Sequence, residues 1–262
     1  MNKEQAIEIR AKIEHFNWYH QIEIGSGVFT PSRSINQGDT EFNNPYLGTW
    51  KKMEAEVQLR DMRSKSVLDA GGRDGKFGLL AERLGASSVT VFDNDLSPGG
   101  KLLCELLGSI VQHKQGNVLT MEFKEEFDVV FAFGLLYHLR EPMLGLKKLV
   151  EALKPGGMLL IESGMMDFRE IQHIPMLYCP VETSPYEHSS CTFFNDLGLQ
   201  TTLRSFGAEF VCGGMYGWPT HGNPPHTQRG FYEFRKVGSE KLKDYWHSTH
   251  SRHTDYQLDA SK

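Results

Sequence analysis

The chain has 262 residues, of which 39% are hydrophobic and 23% charged, a composition typical of a folded globular protein rather than a disordered or fibrous one. Its formal net charge of −5 gives no global electrostatic reason to bind a polyanion such as nucleic acid. The first residues carry charges throughout, unlike a secretory signal, and no stretch approaches the ~18 uninterrupted apolar residues of a membrane span. We therefore expect a cytoplasmic protein that does not enter a membrane.

The amino-terminal residues 1–65 are predicted to form a cap of helices and a hairpin. Ile9, Ile13 and Phe16 recur at helical spacing within residues 4–16. Residues 25–27, Gly-Ser-Gly, supply the turn of a small hairpin. Pro45 can occupy the first turn of a second helix.

From Ser66 onward, apolar strands alternate with helices, a pattern that favours parallel βαβ units with helices on both faces of a sheet. Together with two later strands, this predicts a doubly wound, mostly parallel seven-stranded α/β sheet. The predicted strands are Ser66–Ala70, Ser88–Asp93, Ile110–Lys114, Asp128–Phe133, Met158–Glu162, Glu209–Gly213 and Gly230–Arg235. The predicted helices are Phe77–Leu84, Gly99–Leu107, Met143–Leu153 and Asn195–Phe206.

Residues 66–238 are predicted to form the main domain, and residues 239–262 a polar tail. Lys154 to Gly157 should turn the chain from a helix into a strand, because Pro and Gly commonly follow a helix end. An irregular insertion at 163–190 and a loop at 215–229, rich in Gly, Pro, aromatic residues and His, interrupt this domain. Connections of this length are often functional lids, so we expect them to cover an acceptor.

The segment VLDAGGRDG, residues 67–75, runs from an apolar strand through a Gly-rich turn into a helix. Gly71 and Gly75 permit a tight turn and close approach of a ligand to the backbone. Asp93 ends the next strand about 20 residues further on, where a carboxylate is expected to bind a ribose diol. The loop lacks G-x-G-x-x-G, and Asp74 would be a poor neighbour for a pyrophosphate, so a dehydrogenase is disfavoured.

Five segments, VLDAGGRDG, VTVFDND, QGNVL, FDVVFAFGLLYHL and LKPGGMLLIES, occur in the order found in class I S-adenosylmethionine-dependent methyltransferases. The chain resembles this family over roughly residues 66–163. The resemblance implies a Rossmann-like fold and S-adenosyl-L-methionine as cofactor. By position it implies Asp69, Gly71 and Gly75 at the methionine part of the cofactor, Asp93 at the ribose, Asn94 and Asn117 at the adenine, and Phe133 and Gly134 at the sulfonium. The alternative for Asn117 is a simple turn residue.

Two further segments, GLLYHLREP and NWYHQIEIGSGVFTP, resemble the methyltransferase-like proteins grouped with the tRNA wobble-uridine carboxymethyltransferases. Those tRNA enzymes use carboxy-S-adenosylmethionine, and the Tyr of their Leu-Tyr-His motif, matched here by Tyr137, contributes to that site. One aromatic residue cannot compensate the extra carboxylate, and Arg140 is the nearest cation fixed by the motif. Ordinary S-adenosylmethionine is therefore the expected donor.

His138 is the candidate catalytic base, because an imidazole can accept a proton near neutral pH and the residue follows the strand end where the methyl group should project. The alternative is a structural His that fixes the turn. Tyr137 is expected to line the cofactor or bind the acceptor, or else to be a core aromatic residue. The remaining candidates for acceptor binding are Arg140, Tyr216, Trp218 and His221. The alternative for Arg140 is a solvated arginine on the protein surface.

Metal binding is not expected, because the histidines include no zincin pair and the four cysteines show neither zinc nor redox spacing. Three functions remain open. The first is O- or N-methylation of a small-molecule or sugar acceptor, and the second is modification of a tRNA wobble uridine, which the acidic charge disfavours. The third is cofactor binding without catalysis, since nucleotide-binding folds host many functions.

Overall fold

The computed structural model describes residues 1–180, 190–217 and 226–237. The amino-terminal elements are α1 (Lys3–Ile13), β1 (Glu23–Gly25), β2 (Val28–Phe29) and α2 (Pro45–Gln58). Each helix begins at an Asn cap: the side chain of Asn2 accepts from the backbone of Gln5, and that of Asn44 accepts from Tyr46 and Leu47. The predicted helices and hairpin of this region are confirmed.

The main sheet contains seven strands in the order β10-β11-β7-β6-β3-β4-β5. Strands β3 to β7 pair in parallel, whereas β11 is antiparallel to both β7 and β10. The predicted mostly parallel seven-stranded sheet is confirmed. The elements after α2, in chain order, are β3 (Ser66–Ala70), α3 (Lys76–Arg83), β4 (Ser88–Asp93), α4 (Pro98–Leu107), β5 (Val111–Gln115), β6 (Phe127–Phe133), α5 (Pro142–Ala152), β7 (Leu153–Met166), β8 (Leu177–Tyr178), β9 (Phe193–Phe194), α6 (Asp196–Ser205), β10 (Ala208–Met215) and β11 (Thr227–Lys236).

Both faces of the sheet are covered, because successive side chains of a strand point to opposite sides. In β3, Val67 belongs to one buried apolar cluster and Leu68 to the other. The Val67 cluster also contains Trp18 and Trp50 of the amino-terminal segment. The Leu68 cluster contains side chains of α5 and α6. The amino-terminal segment therefore shares its hydrophobic core with one face of the sheet.

Strand β7 differs from the sequence prediction at both ends. It begins at Leu153 and not Met158, because Leu153 pairs with Phe127 of β6, and the predicted turn becomes a bulge with Gly156 at a φ of +76°. At its other end β7 continues past Glu162 to Met166, paired with β11. The irregular stretch therefore begins after Met166, four residues later than predicted.

Candidate functional site

A cavity of about 430 Å³ lies at the carboxyl ends of β3, β4 and β6 and beside Glu162 of β7. The carboxyl edge of a parallel sheet is where α/β folds bind ligands, and the volume lies within the range of small-molecule sites. Eight of the predicted site residues line it, namely Asp69, Gly71, Asp93, Asn94, Phe133, Gly134, Tyr137 and His138. The sheet thus brings together residues that are far apart in sequence.

In the Gly-rich turn after β3, Gly71 and Gly72 line this cavity with backbone atoms. Gly71 has a φ of +79°, which favours glycine, and its N–H donates to the carbonyl of Phe92. A Cβ on Gly72 would lie 2.5 Å from the carboxylate of Asp69, so this position also requires glycine. The sequence prediction included Gly71 and Gly75 but missed Gly72.

Asp69 is buried below this turn, with 1% of its surface exposed. One carboxylate oxygen accepts the backbone N–H of Gly78 at 3.0 Å. Burial is the main cause that raises the pKa of Asp69 to about 7, and the nearby charge of Asp93 adds to it. The carboxyl group therefore titrates near neutral pH in the folded protein.

Asp93 ends β4 at the rim of the cavity and is half-buried. Its two carboxylate oxygens accept the backbone N–H groups of Arg73 and Asp95, at 3.1 Å and 2.8 Å. These contacts fix the orientation of the carboxylate at the strand end. An oriented acidic group is suited to accept hydrogen bonds from a ligand diol.

Tyr137 and His138 lie in a single 3₁₀ turn, Leu136–His138, that follows the end of β6. Gly134 has a φ of +65° and donates to the carbonyl of Glu162, which turns the chain across the end of β7. Tyr137 is buried and stacks on Phe193, with ring centroids 6.4 Å apart. The half-buried imidazole of His138 lies beside it, at a ring distance of 4.3 Å.

A buried ion pair between Glu162 and Arg229 also lines the cavity, although the sequence prediction did not include it. Arg229 donates from Nε to Glu162 Oε1 at 2.6 Å and forms a second bond to Oε2. The guanidinium carbon lies 5.0 Å from the ring centroid of Tyr137. The cation beside Tyr137 in this structure is therefore Arg229, a residue that the sequence prediction had left in a loop.

Tyr216 reaches the same ion pair, since its hydroxyl donates to Glu162 Oε1 at 2.8 Å. Burial, followed by the charge of Glu162, raises the pKa of Tyr216 well above its ordinary value. The hydroxyl therefore remains protonated and able to donate. Strand β11 supplies Arg229, and the segment after β10 supplies Tyr216, so both anchor the last part of the sheet to β7.

The amino-terminal segment provides part of the cavity wall, which the sequence prediction also missed. Tyr19, Tyr46 and Trp50 form a cluster of rings with centroids 5.6 to 6.2 Å apart. His20 lies beside them, 5.1 Å from Trp50. The motif NWYH, singled out for its resemblance, thus contributes two lining residues directly.

Several predicted site residues do not line this cavity. Gly75, with a φ of +80°, is the residue before α3, and a Cβ added to it would lie 3.2 Å from the ring of His113. Asn117 is exposed, and its side chain accepts the N–H of Leu119 at 2.9 Å as a cap, as a turn residue would. Arg140 is exposed. Trp218 and His221, with most of the loop at 215–229, lie outside the described residues.

The residues that line the cavity fit an adenosyl cofactor. Gly71 and Gly72 line the cavity with backbone atoms and no side chain, and Asp93 stands at the end of the adjacent strand. Phe133 and Gly134 border the cavity from the next strand, beside Tyr137. The Asp93 carboxylate, the glycine backbone and these apolar surfaces suit a nucleoside with an extended polar tail.

Comparison with known proteins agrees with this architecture. Residues 50–212 match the family model described as a methyltransferase domain, and the chain belongs to this family. Fold and family together define an S-adenosylmethionine-dependent methyltransferase.

Two solved structures illustrate the shared fold. The Burkholderia thailandensis 1,6-didemethyltoxoflavin-N1-methyltransferase is 19% identical, with a TM-score of 0.56 over 72% of this chain and 79% of that one. The amino-terminal domain of EvdMO1 is 16% identical, with a TM-score of 0.60 over 90% of this chain and 98% of that one.

Among curated proteins, the chain is similar to tRNA U34 carboxymethyltransferases. The protein from Pseudomonas aeruginosa strain LESB58 is 33% identical over 135 residues, which cover 48% of this chain and 39% of that one. The Azotobacter vinelandii protein is 32% identical over 139 residues, 49% of this chain and 40% of that one. The chain thus spans less than half the length of these relatives. In the described part of the chain, no helix is long and apolar enough to cross a membrane.

Proposed function

We propose that the protein transfers a methyl group from S-adenosylmethionine to the oxygen or nitrogen of a small-molecule or sugar acceptor. The observation that carries this proposal is one continuous cavity, lined both by the Gly-rich turn and Asp93 and by the aromatic residues of the amino-terminal segment. One end suits the cofactor, and the other is lined by rings and by the Glu162–Arg229 pair. The net charge of −5 favours a small acceptor over a polynucleotide.

The cofactor, when bound, supplies an electrophilic methyl group. In this proposal Asp93 accepts hydrogen bonds from the ribose and Asn94 contacts the adenine, whereas Asn117, which caps a turn outside the cavity, takes the alternative role of a turn residue. The backbone at Gly71 receives the methionine part, above the buried Asp69, and Gly75 shapes the turn. Phe133 and Gly134 border the sulfonium and exclude water from it.

Tyr137 and His138 are proposed to hold the acceptor next to the reacting methyl group. Their 3₁₀ turn is fixed between β6 and β7, so both rings have a defined position at the cavity. Proximity and orientation supply most of the acceleration in methyl transfer. Tyr216 supports the acceptor side through its hydrogen bond to Glu162. Arg140, which is exposed and does not line the cavity, stays a prediction for acceptor binding.

Two measurements test this proposal. Calorimetric titration with S-adenosylhomocysteine should give a dissociation constant in the micromolar range or below. Methyl-labelled S-adenosylmethionine should then pass its label to a compound in a protein-free, low-molecular-weight cell filtrate, and not to purified tRNA. Absence of heat would refute cofactor binding. Label in tRNA alone would refute the small acceptor, and binding without transfer to either pool would favour a non-catalytic protein.

A second candidate is carboxymethyl transfer to tRNA, favoured by the relatives named above and by the position of Arg229 on Tyr137. One observation disfavours carboxymethyl transfer: the charge of Arg229 is already compensated by Glu162. The additional carboxylate of carboxy-S-adenosylmethionine would therefore enter a site that already holds a buried anion. A competition titration decides between the donors. Binding of carboxy-S-adenosylmethionine at least tenfold tighter than S-adenosylmethionine, a preference of ~1.4 kcal/mol, would favour the tRNA function.

A further inference from the structure

A buried carboxylate joins the amino-terminal segment to the Gly-rich turn. Asp74 has no exposed surface, and one of its oxygens accepts the backbone N–H groups of Tyr19 and His20 at 2.9 and 2.7 Å. The same oxygen lies 3.2 Å from Nδ1 of His20. Three contacts to one carboxylate oxygen fix both the backbone and the ring of His20.

The second nitrogen of this imidazole is the one available to a ligand. Because a carboxylate can only accept, Nδ1 carries the proton that bonds to Asp74, and Nε2 is left as an acceptor. His20 lines the cavity and is otherwise enclosed by the rings of Trp50 and Phe77. Phe77 in turn packs on Phe133, the end of β6, with centroids 4.9 Å apart. The ring of Phe77 therefore connects the imidazole of His20 to the strand end where the reaction is expected.

The charges around His20 come from three elements. Asp74 contacts the imidazole directly. Arg73, in the same turn, lies 3.4 Å from the Asp74 oxygen that does not contact His20. Lys76 of α3 donates to the carbonyl of Gln21 and pairs with Glu54 of α2. Burial is the largest influence and lowers the pKa of His20, against the opposing effect of Asp74. A neutral imidazole near pH 7 follows, and a neutral imidazole can accept a proton.

We propose that Nε2 of His20 is the proton acceptor of the transfer reaction and that Asp74 is its positioning residue. This inference rests on the proposed function, which it deepens by naming the acceptor class as a hydroxyl or an aromatic N–H that must lose its proton. A lone pair on the acceptor atom forms the new bond to the methyl carbon as the sulfur–methyl bond breaks, its electrons remaining on sulfur. The acceptor proton moves to Nε2 and from there to water.

The arrangement also separates the roles of two histidines at one cavity. His138 lies beside Tyr137 on the turn after β6, whereas His20, which also lines the cavity, is held by the buried carboxylate of Asp74. A carboxylate behind an imidazole fixes its tautomer and stabilises the protonated ring that forms during reaction. On this basis His20 is the base, and His138 contributes to binding.

The decisive variant is His20→Asn, because the amide nitrogen of Asn can occupy the place of Nδ1 and still donate to Asp74, while Nε2 is removed. His15→Asn, at an exposed histidine of the same amino-terminal segment that does not line the cavity, is the matched control. For His20→Asn we expect an affinity for S-adenosylhomocysteine within twofold of wild type. Label transfer to the small-molecule filtrate should fall by a factor of about 100 or more, the range of general-base catalysis. The control should lose less than tenfold.

Two further measurements separate a base from a structural residue. Nitrogen-15 spectra of the histidine-labelled protein, loaded with S-adenosylhomocysteine, should show His20 protonated on Nδ1 and unprotonated on Nε2 at pH 7.5. In Asp74→Asn, loss of the carboxylate should move the acid limb of the pH–rate profile to lower pH. A merely structural contact would lower the amplitude of that profile without moving it.

Three results would overturn the inference. One is transfer by His20→Asn within threefold of wild type, and another is a proton on Nε2 in the spectra. The third is a tenfold loss of S-adenosylhomocysteine affinity in His20→Asn, which would make His20 a cofactor ligand. If wild type binds S-adenosylhomocysteine but labels no compound, the proposed function fails on its own, and the nitrogen-15 spectra still decide the state of His20.

Discussion

Replacing Arg229 with Met tests the buried ion pair at the end of the sheet. Glu162 has no exposed surface and Arg229 only 3%, so the substitution leaves a carboxylate in the interior whose remaining donor, within the described part of the chain, is Tyr216. Removing one partner of a buried pair costs about 3 to 5 kcal/mol. For a domain of this size, 1 kcal/mol corresponds to about 2 to 4 °C, so Tm should fall by roughly 6 to 20 °C.

Thermal and urea unfolding of four proteins measure this effect: wild type, Arg229→Met, Glu162→Gln with Arg229→Met, and Lys147→Met. The double variant removes the unpaired charge of Glu162 as well. It should recover at least half of the lost unfolding free energy, since a neutral pair of similar shape is often tolerated. Lys147 pairs with Glu151 on the surface of α5, and its variant should stay within about 0.5 kcal/mol of wild type. A double variant as unstable as Arg229→Met would refute the assignment of the cost to an unpaired charge.

Three further predictions concern the turn and the strand ends. Asp93→Ala should weaken binding of S-adenosylhomocysteine by about tenfold or more, since a hydrogen bond to a charged group contributes ~1.5 to 3 kcal/mol; an unchanged calorimetric dissociation constant in a folded variant would contradict its proposed role. Asp69 ionises near pH 4 when unfolded but near pH 7 when folded, so its contribution to wild-type stability should fall as pH rises from about 4 to about 7. At 1.36 kcal/mol per pKa unit, the loss of stability due to Asp69 is on the order of 4 kcal/mol. The variant Asp69→Asn should abolish this pH-dependent loss, which urea unfolding of both proteins at pH 5 and 8 would measure. Equal pH dependence in both proteins would contradict the raised pKa. Gly72→Ala should lower stability by roughly 1 to 3 kcal/mol, because its Cβ would meet the Asp69 carboxylate at 2.5 Å; a Tm equal to that of wild type would show that the turn adjusts.

Local sequence patterns were sufficient for the elements whose environment is determined by their own residues. β3 and β4 begin and end where predicted, because both are short apolar runs bounded by turn residues. β7 was underestimated at both ends, since Leu153 and Met165 become strand through pairing with β6 and β11. Such pairing depends on partners distant in sequence, which no local pattern records.

The same reasoning explains which site residues were found. Asp69 and Gly71 carry a spacing that can be read in one segment, and both line the cavity. His20 and Arg229 were missed because their partners, Asp74 and Glu162, lie 54 and 67 residues away in sequence. One signal was available: Glu162 is the charged residue at the end of the otherwise apolar predicted strand Met158–Glu162, and a buried charge requires a partner.

The contacts of Asp74 also bear on how this protein can be divided. The family match begins at residue 50, yet Tyr19, His20 and the buried Trp18 precede it and complete the cavity and the core. A fragment cut at residue 50 would leave Asp74 uncompensated and expose the apolar face that the missing segment covers. Exposed surface of this kind promotes aggregation. Recombination or truncation of this protein should therefore keep its first 50 residues together with the sheet, since the boundary of sequence similarity is not a boundary of folding.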